Sequence, residues 1–156
     1  MLVEATDEHF DLMLASTAPD GLRLPEGGLE AEPVLEMLKS LARGMRQELG
    51  PAAWMIVEGG EVIGLCSITK AFSERGLVEI GYGIAVAHRG RGHAGRAIEE
   101  LLRLLWADRR IEVVAAETST ENLPSQRVLE KNGFQRVGER TDPEDGPLIC
   151  WRITPN

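Results

Sequence analysis

Only two cysteines occur in the 156 residues, Cys66 and Cys150, far apart and outside any C-x-x-C spacing, so neither a disulfide framework nor a cysteine-rich zinc site is expected. Both lie in strand-like runs, Leu65–Ile68 and Ile149–Trp151, where core packing as reduced thiols accounts for them. His9, His88 and His93 lack the i, i+4 spacing of metal ligands, and no metal is expected. No G-x-S-x-G nucleophile elbow occurs, and Cys66 as a covalent acyl carrier has little to recommend it. No apolar run approaches the ~20 residues of a membrane span. The opening MLVEATDEHF carries three acids and no Lys or Arg, unlike a secretory leader, so a cytoplasmic location is expected. Basic excess is also missing: 17 basic residues face 25 acidic ones, a net charge of -8, which argues against nucleic acid or an anionic membrane as partner. An amine-bearing partner suits that balance better.

What is present is an ordinary globular composition, 43% hydrophobic and 27% charged, in a length that supports one core over residues 1–156. No repeat or low-complexity linker divides it. Leu2–Ala5 reads as a short strand and Asp7–Ser16 as a helix with acids at its positive end. After a loop, Ala18–Glu32, Pro33 opens an amphipathic helix with Val34, Leu35, Leu38, Leu41, Ala42 and Met45 on one face, ending near Gly50. Ala52–Val57 and Val62–Lys70 read as a hairpin turned by Gly59-Gly60, and Leu77–Val86 as its antiparallel neighbour. From Ala94 the pattern is helical, with Ile98, Leu101, Leu102 and Leu105 on one face, and Ile111–Thr118 is a buried strand. Pro124 starts a last helix that Gly133 closes, and Phe134–Glu139 and Leu148–Thr154 are strands. The expected fold is α+β: a mixed, mostly antiparallel sheet of six to seven strands with four helices and one strand-helix-strand crossover.

One loop reverses the overall charge. His88-Arg-Gly-Arg-Gly-His-Ala-Gly-Arg96 holds three arginines, two histidines and three glycines without an acid, between a strand and a helix. Arg89, Gly90, Arg91, Gly92, His93, Ala94, Gly95 and Arg96 therefore form a candidate pyrophosphate cradle, with free amides of the new helix aimed at the anion. Gly90-x-Gly92-x-x-Gly95 also fits a dinucleotide fingerprint, with Glu117 near the place of its ribose-binding acid, but that fold needs successive parallel units where only one crossover is evident. A Walker A reading fails because Arg96-Ala97 replaces the Lys and hydroxyl.

Arg89-x-x-Gly92-x-Ala94 after a strand resembles the acetyl-coenzyme A signature Q/R-x-x-G-x-G/A of the GNAT acyltransferases. Glu117-Thr-Ser-Thr-Glu-Asn122-Leu-Pro-Ser125-Gln-Arg-Val-Leu-Glu-Lys-Asn-Gly133-Phe134 resembles that family's second motif. The likeness covers Leu77 to Val137 and, in its spacing and Ser125, is most similar to the ribosomal-protein N-terminal acetyltransferase branch. It implies the GNAT fold, with acetyl-CoA between the strands Leu77–Val86 and Ile111–Thr118 and its pantetheine bonded to the backbone of Gly83 and Ile84. Asn122 would reach the pantetheine, although an Asn before Leu-Pro is equally a helix N-cap, and it serves in both ways if both hold. Glu117 would be the general base, with Glu79 or ordered water as alternatives and Tyr82 as a substrate contact. Many relatives carry Tyr seven residues after the Asn to protonate the leaving thiolate; here that position is Leu129, and Ser125 would serve instead.

The function expected on this basis is acetyl transfer from acetyl-CoA to a primary amine: a protein N-terminus, a lysine, a polyamine or a small metabolite. A noncatalytic CoA-binding module and, further off, a dinucleotide-dependent oxidoreductase are the rivals. The acceptor is expected to meet the loop Ala18–Glu32 and the turn Ser73–Gly76, and a homodimer is possible.

Overall fold

A computed structural model describes residues 1–155. Strand β1 (Leu2–Glu4) leads to helix α1 (Asp7–Leu14), and helix α2 (Glu32–Leu49) precedes the hairpin β2 (Ala53–Glu58) and β3 (Glu61–Ala71). Then come β4 (Leu77–Ile84), α3 (His93–Trp106), β5 (Val113–Ser119), α4 (Leu123–Lys131), β6 (Gln135–Asp142) and β7 (Gly146–Ile153). Local chemistry sets several of these limits. Thr6 Oγ1 accepts the His9 N–H at 3.3 Å while His9 Nδ1 accepts the Thr6 N–H at 3.1 Å, a reciprocal cap that starts α1. Gly133, just past α4, has φ +89°, the left-handed turn that a C′ glycine supplies.

The seven strands form one sheet in the order β1-β2-β3-β4-β5-β7-β6. Neighbours are antiparallel except β4 and β5, which run parallel and are joined through α3. With one parallel pair there are no successive parallel units, so the dinucleotide reading of the glycine loop falls. Helix α1 packs on α2, which lies over β2 and β3, and α3 and α4 pack together on the other face. Ile98 and Leu101 of α3 are fully buried, each worth about 1.5–3 kcal/mol in apolar burial, and that anchors the start of α3 against the sheet.

Two expected limits change. The run Leu77–Val86 stays a strand only to Ile84; Val86–His88 is a 3-10 turn, pinned by His88 Nε2 at 2.5 Å from a Glu61 carboxylate oxygen. Strand β6 runs on past Glu139 because Asp142 Oδ1 accepts the amides of Glu144 (2.8 Å) and Asp145 (3.0 Å), moving the hairpin turn downstream. Cys66 is 1% exposed in the core, where burial pushes its thiol far above the ordinary range, leaving no nucleophile for an acyl-carrier route. Among the described residues no helix is long and apolar enough to cross a membrane.

Candidate active site

Pairing between β4 and β5 runs from Leu77–Val113 to Ile80–Ala116 and stops. Beyond it β4 follows β3 to Ile84 and β5 follows β7 to Ser119, so the two strands open a V. Strand parity decides which peptide groups face it. Ala85 N–H donates to Ile63 O at 2.8 Å, so Gly83, two residues back and in register with Leu65, also spends its peptide groups on β3. Tyr82 and Ile84 therefore turn theirs to the gap. The expectation for Ile84 keeps its geometry, although Arg89 Nε already holds the Ile84 carbonyl at 2.9 Å. Gly83 is corrected: its backbone faces β3, and the Tyr82 backbone is the group that sequence reading missed, because the β3–β4 register was needed to see it. A Cβ at Gly83 would sit 2.9 Å from Glu30 Oε1, so the tip of that carboxylate lies over β4.

The cradle lies at the wide end of the V. Gly92 caps α3 in the left-handed conformation, φ +79°, and the amides of Gly90, Arg91, Gly92, His93, Ala94 and Gly95 donate to no carbonyl or side chain among the described residues. Such a run of free amides fits a pyrophosphate. Side chains support the fit: Arg96 Nη2 braces the Arg91 carbonyl at 3.2 Å and His93 Nδ1 at 3.0 Å. Desolvation, followed by the charge of Arg96, holds His93 below its ordinary value, so it is neutral at pH 7. The first turn of α3 holds no acid to offset its positive end, the reverse of the usual helix-dipole preference, which an anionic ligand would restore. A cleft of about 650 Å³, lined among others by Glu26, Glu30, Val86 and Arg89, borders the cradle on the side of the predicted acceptor loop.

On the sheet face below that loop, Glu79 of β4 and Glu117 of β5 come together with Lys70, Arg140 and Cys150. Glu117 is bound bidentately by Arg140, Nη2 to Oε1 at 2.7 Å and Nε to Oε2, and Cys150 Sγ donates to it at 3.7 Å. The Arg140 hydrogen bonds hold Glu117 below the usual carboxylate range. Glu79 differs. Burial is the first cause that lifts it above the usual range; Lys70, 3.8 Å away, opposes the lift and the charge of Glu117 adds to it. Arg140 was not foreseen in the sequence: it reaches Glu117 because β7 inserts between β5 and β6. The turn Ser73–Gly76 lies at the closed end of β4, where Glu74 pairs with Arg152 at 3.3 Å.

Tyr82 is separated from Glu79 by the same parity: its ring is on the α4 side, with its hydroxyl 2.6 Å from Ser125 Oγ and 3.2 Å from the Ser125 carbonyl. Asn122 Oδ1 accepts the Ser125 N–H at 3.2 Å, so its capping role is realised. Leu129 is fully buried on the inner face of α4. Among the described residues no cluster of His, Cys, Asp and Glu is placed to hold a metal ion.

Residues 1–135 match the acetyltransferase (GNAT) domain family, a wider span than the two motifs mark, and the chain belongs to that family. The uncharacterised N-acetyltransferase p20 of Bacillus licheniformis is 28% identical over 115 residues, 74% of this chain and 64% of that protein, so the chain spans somewhat under two thirds of this relative's length. Aminoglycoside acetyltransferase AAC(6')-Ib, solved with coenzyme A, superposes with a TM-score of 0.71 at 20% identity, covering 99% of this chain and 94% of that one. RimJ of Mycobacterium smegmatis, solved with CoA-disulfide, gives 0.63 at 24% identity over 78% and 59%. These likenesses are of fold, and they favour the ribosomal-protein branch no more than the aminoglycoside one.

Proposed function

We propose that the chain is an N-acetyltransferase that moves the acetyl group of acetyl-CoA to a primary amine by direct attack, with both substrates bound. The observation that carries this is the V between β4 and β5, which joins six undonated amides at its wide end to a carboxylate pair on its acceptor face. Pyrophosphate would rest on Gly90–Gly95 and pantetheine along Tyr82, Ile84 and the amide of Asn122. In this reading Glu79 takes the amine proton, the part first expected of Glu117. Both Glu117 oxygens are held by Arg140 and it is the weaker base; Glu79 is half-buried and lifted, which narrows the gap to an amine of pKa about 8–10. At neutral pH the acceptor is an ammonium, and Glu79 takes the proton it must lose before its nitrogen can attack. Glu117 and its Arg140 partner hold the sheet face in place.

The acidic surroundings, Glu26, Glu30, Glu79 and Glu117, suit a cationic acceptor, the chemistry shared by polyamines, lysines and aminoglycosides. Two measurements test the reading: calorimetric titration with CoA, and thiol release from acetyl-CoA across amines of rising charge. Micromolar or tighter CoA binding with release that favours polycations is expected. CoA binding with no release on any amine leaves a binding module, and no CoA binding removes the cradle assignment.

A further inference from the structure

Expulsion of the CoA thiolate needs a donor at sulfur, and the position where relatives carry a tyrosine on α4 is here the fully buried Leu129. The chain nevertheless has one tyrosine, Tyr82, and it reaches the same helix from the opposite strand. Its residue is the second beyond the last β4–β5 pair, so the ring spans the mouth of the V, and among the described residues its hydroxyl hydrogen-bonds only with the hydroxyl and carbonyl of Ser125. Resting on the acetyl-CoA reading above, we propose that Tyr82 is a positioning residue for the leaving-group step: its phenol donates to Ser125 and thereby turns the serine proton toward the sulfur.

The geometry explains why a partner is needed. A serine in the first turn of a helix readily spends its proton on a carbonyl one turn back, which would leave sulfur without a donor. Of the two acceptors open to the phenol's single proton, Ser125 Oγ at 2.6 Å is nearer than the Ser125 carbonyl at 3.2 Å; with the proton on Oγ the serine hydrogen is the free end of a chain, and each bond polarises the next. The Asn122 cap fixes the Ser125 backbone at the same time. In the step itself the C–S bond breaks with its electron pair on sulfur, and Ser125 O–H donates to that thiolate. The amine proton passes to Glu79, and the thiol proton comes from solvent on release. Tyr82 keeps its own proton. Burial holds the phenol above its ordinary value, so it remains a donor through mildly alkaline pH.

The test uses CoA alone and needs no acceptor. The thiol of bound CoA is titrated by its ultraviolet thiolate absorbance in the wild type, Tyr82→Phe, Ser125→Ala and the double variant, with desulfo-CoA as the blank that removes protein signals. In the wild type the bound thiol is expected to titrate below that of free CoA. Each single variant should raise it by about half a unit to one unit, with the double variant no higher than Ser125→Ala alone. In turnover, Tyr82→Phe should lower kcat about tenfold at unchanged KM for acetyl-CoA. Tight CoA binding with identical titrations in all four proteins overturns the positioning role and leaves the acetyl-CoA reading standing. Additive shifts overturn the route through Ser125, and failure of the wild type to bind CoA overturns both.

Discussion

The two ends of the β4–β5 gap are built by different means. The wide end is a single run of nine residues, His88–Arg96, in which undonated backbone amides lie together and glycines allow the turn. The acceptor face is assembled from side chains on five strands, with Lys70 of β3, Glu79 of β4, Glu117 of β5, Cys150 of β7 and Arg140 of β6. A site made of consecutive backbone depends on local conformation, whereas one made across strands depends on sheet order and register. Substitutions at the first should act on cofactor affinity, and substitutions at the second on proton transfer and charge.

The largest effect should come from Gly95→Glu. That position has ordinary φ and open space around a Cβ, so the variant adds a carboxylate to the anion seat without strain. CoA affinity should fall about a hundredfold or more by calorimetry with an unchanged circular dichroism spectrum. Unaltered affinity would move the pyrophosphate elsewhere. Gly92→Glu should lose binding too, but at φ +79° it also strains the turn by about 1–2 kcal/mol, so it separates the two ends less cleanly.

A smaller effect is expected at the other end. Arg140→Ala frees Glu117, adds net negative charge to the acceptor face, and should lower KM for a diamine by up to about fivefold while leaving CoA affinity alone. It also has an acid-stability signature. Glu117 is lowered in the folded state, so its pairing stabilises the fold above its unfolded pKa and is lost as pH falls through the folded value. In Arg140→Ala the melting temperature should then depend less on pH in that acid window.

The smallest effect is on the stability of the fold, through the charge of Glu79. Its folded value is raised, so its favourable contribution is present below the unfolded pKa and is lost as pH rises through the folded one. The ionised form therefore costs stability at neutral pH, and Glu79→Gln should melt higher by a few degrees at most at pH 7, with no gain below pH 4. A lower melting temperature would mean that the Lys70 ion pair outweighs the burial.

This difference in construction also decides what could be read beforehand. Each strand and helix was legible, and so was the glycine turn that starts α3, since glycine conformation, helix starts and apolar periodicity are local properties. The β6–β7 turn was not: Asp142 holds it through bonds to Glu144 and Asp145 that no hydrophobic pattern marks. Gly83 was misassigned because its peptide groups follow from the pairing of Ala85 with Ile63, a register fact. The same parity put Tyr82 on the Ser125 side, away from Glu79. Arg140 was invisible because 23 residues of sequence separate it from Glu117 and only the insertion of β7 brings them together.

Glu79 as the proton acceptor of a catalytic V, with cofactor binding kept apart from it, is open to one direct test. The direct measurement is the pH dependence of thiol release at saturating acetyl-CoA for Glu79→Gln beside the wild type and Glu117→Gln. Glu79→Gln should lose about a hundredfold at neutral pH and recover in alkali as the amine loses its own proton, while Glu117→Gln keeps the wild-type profile. A Glu79→Gln profile superimposable on the wild type, or a deficit confined to Glu117→Gln, would contradict it.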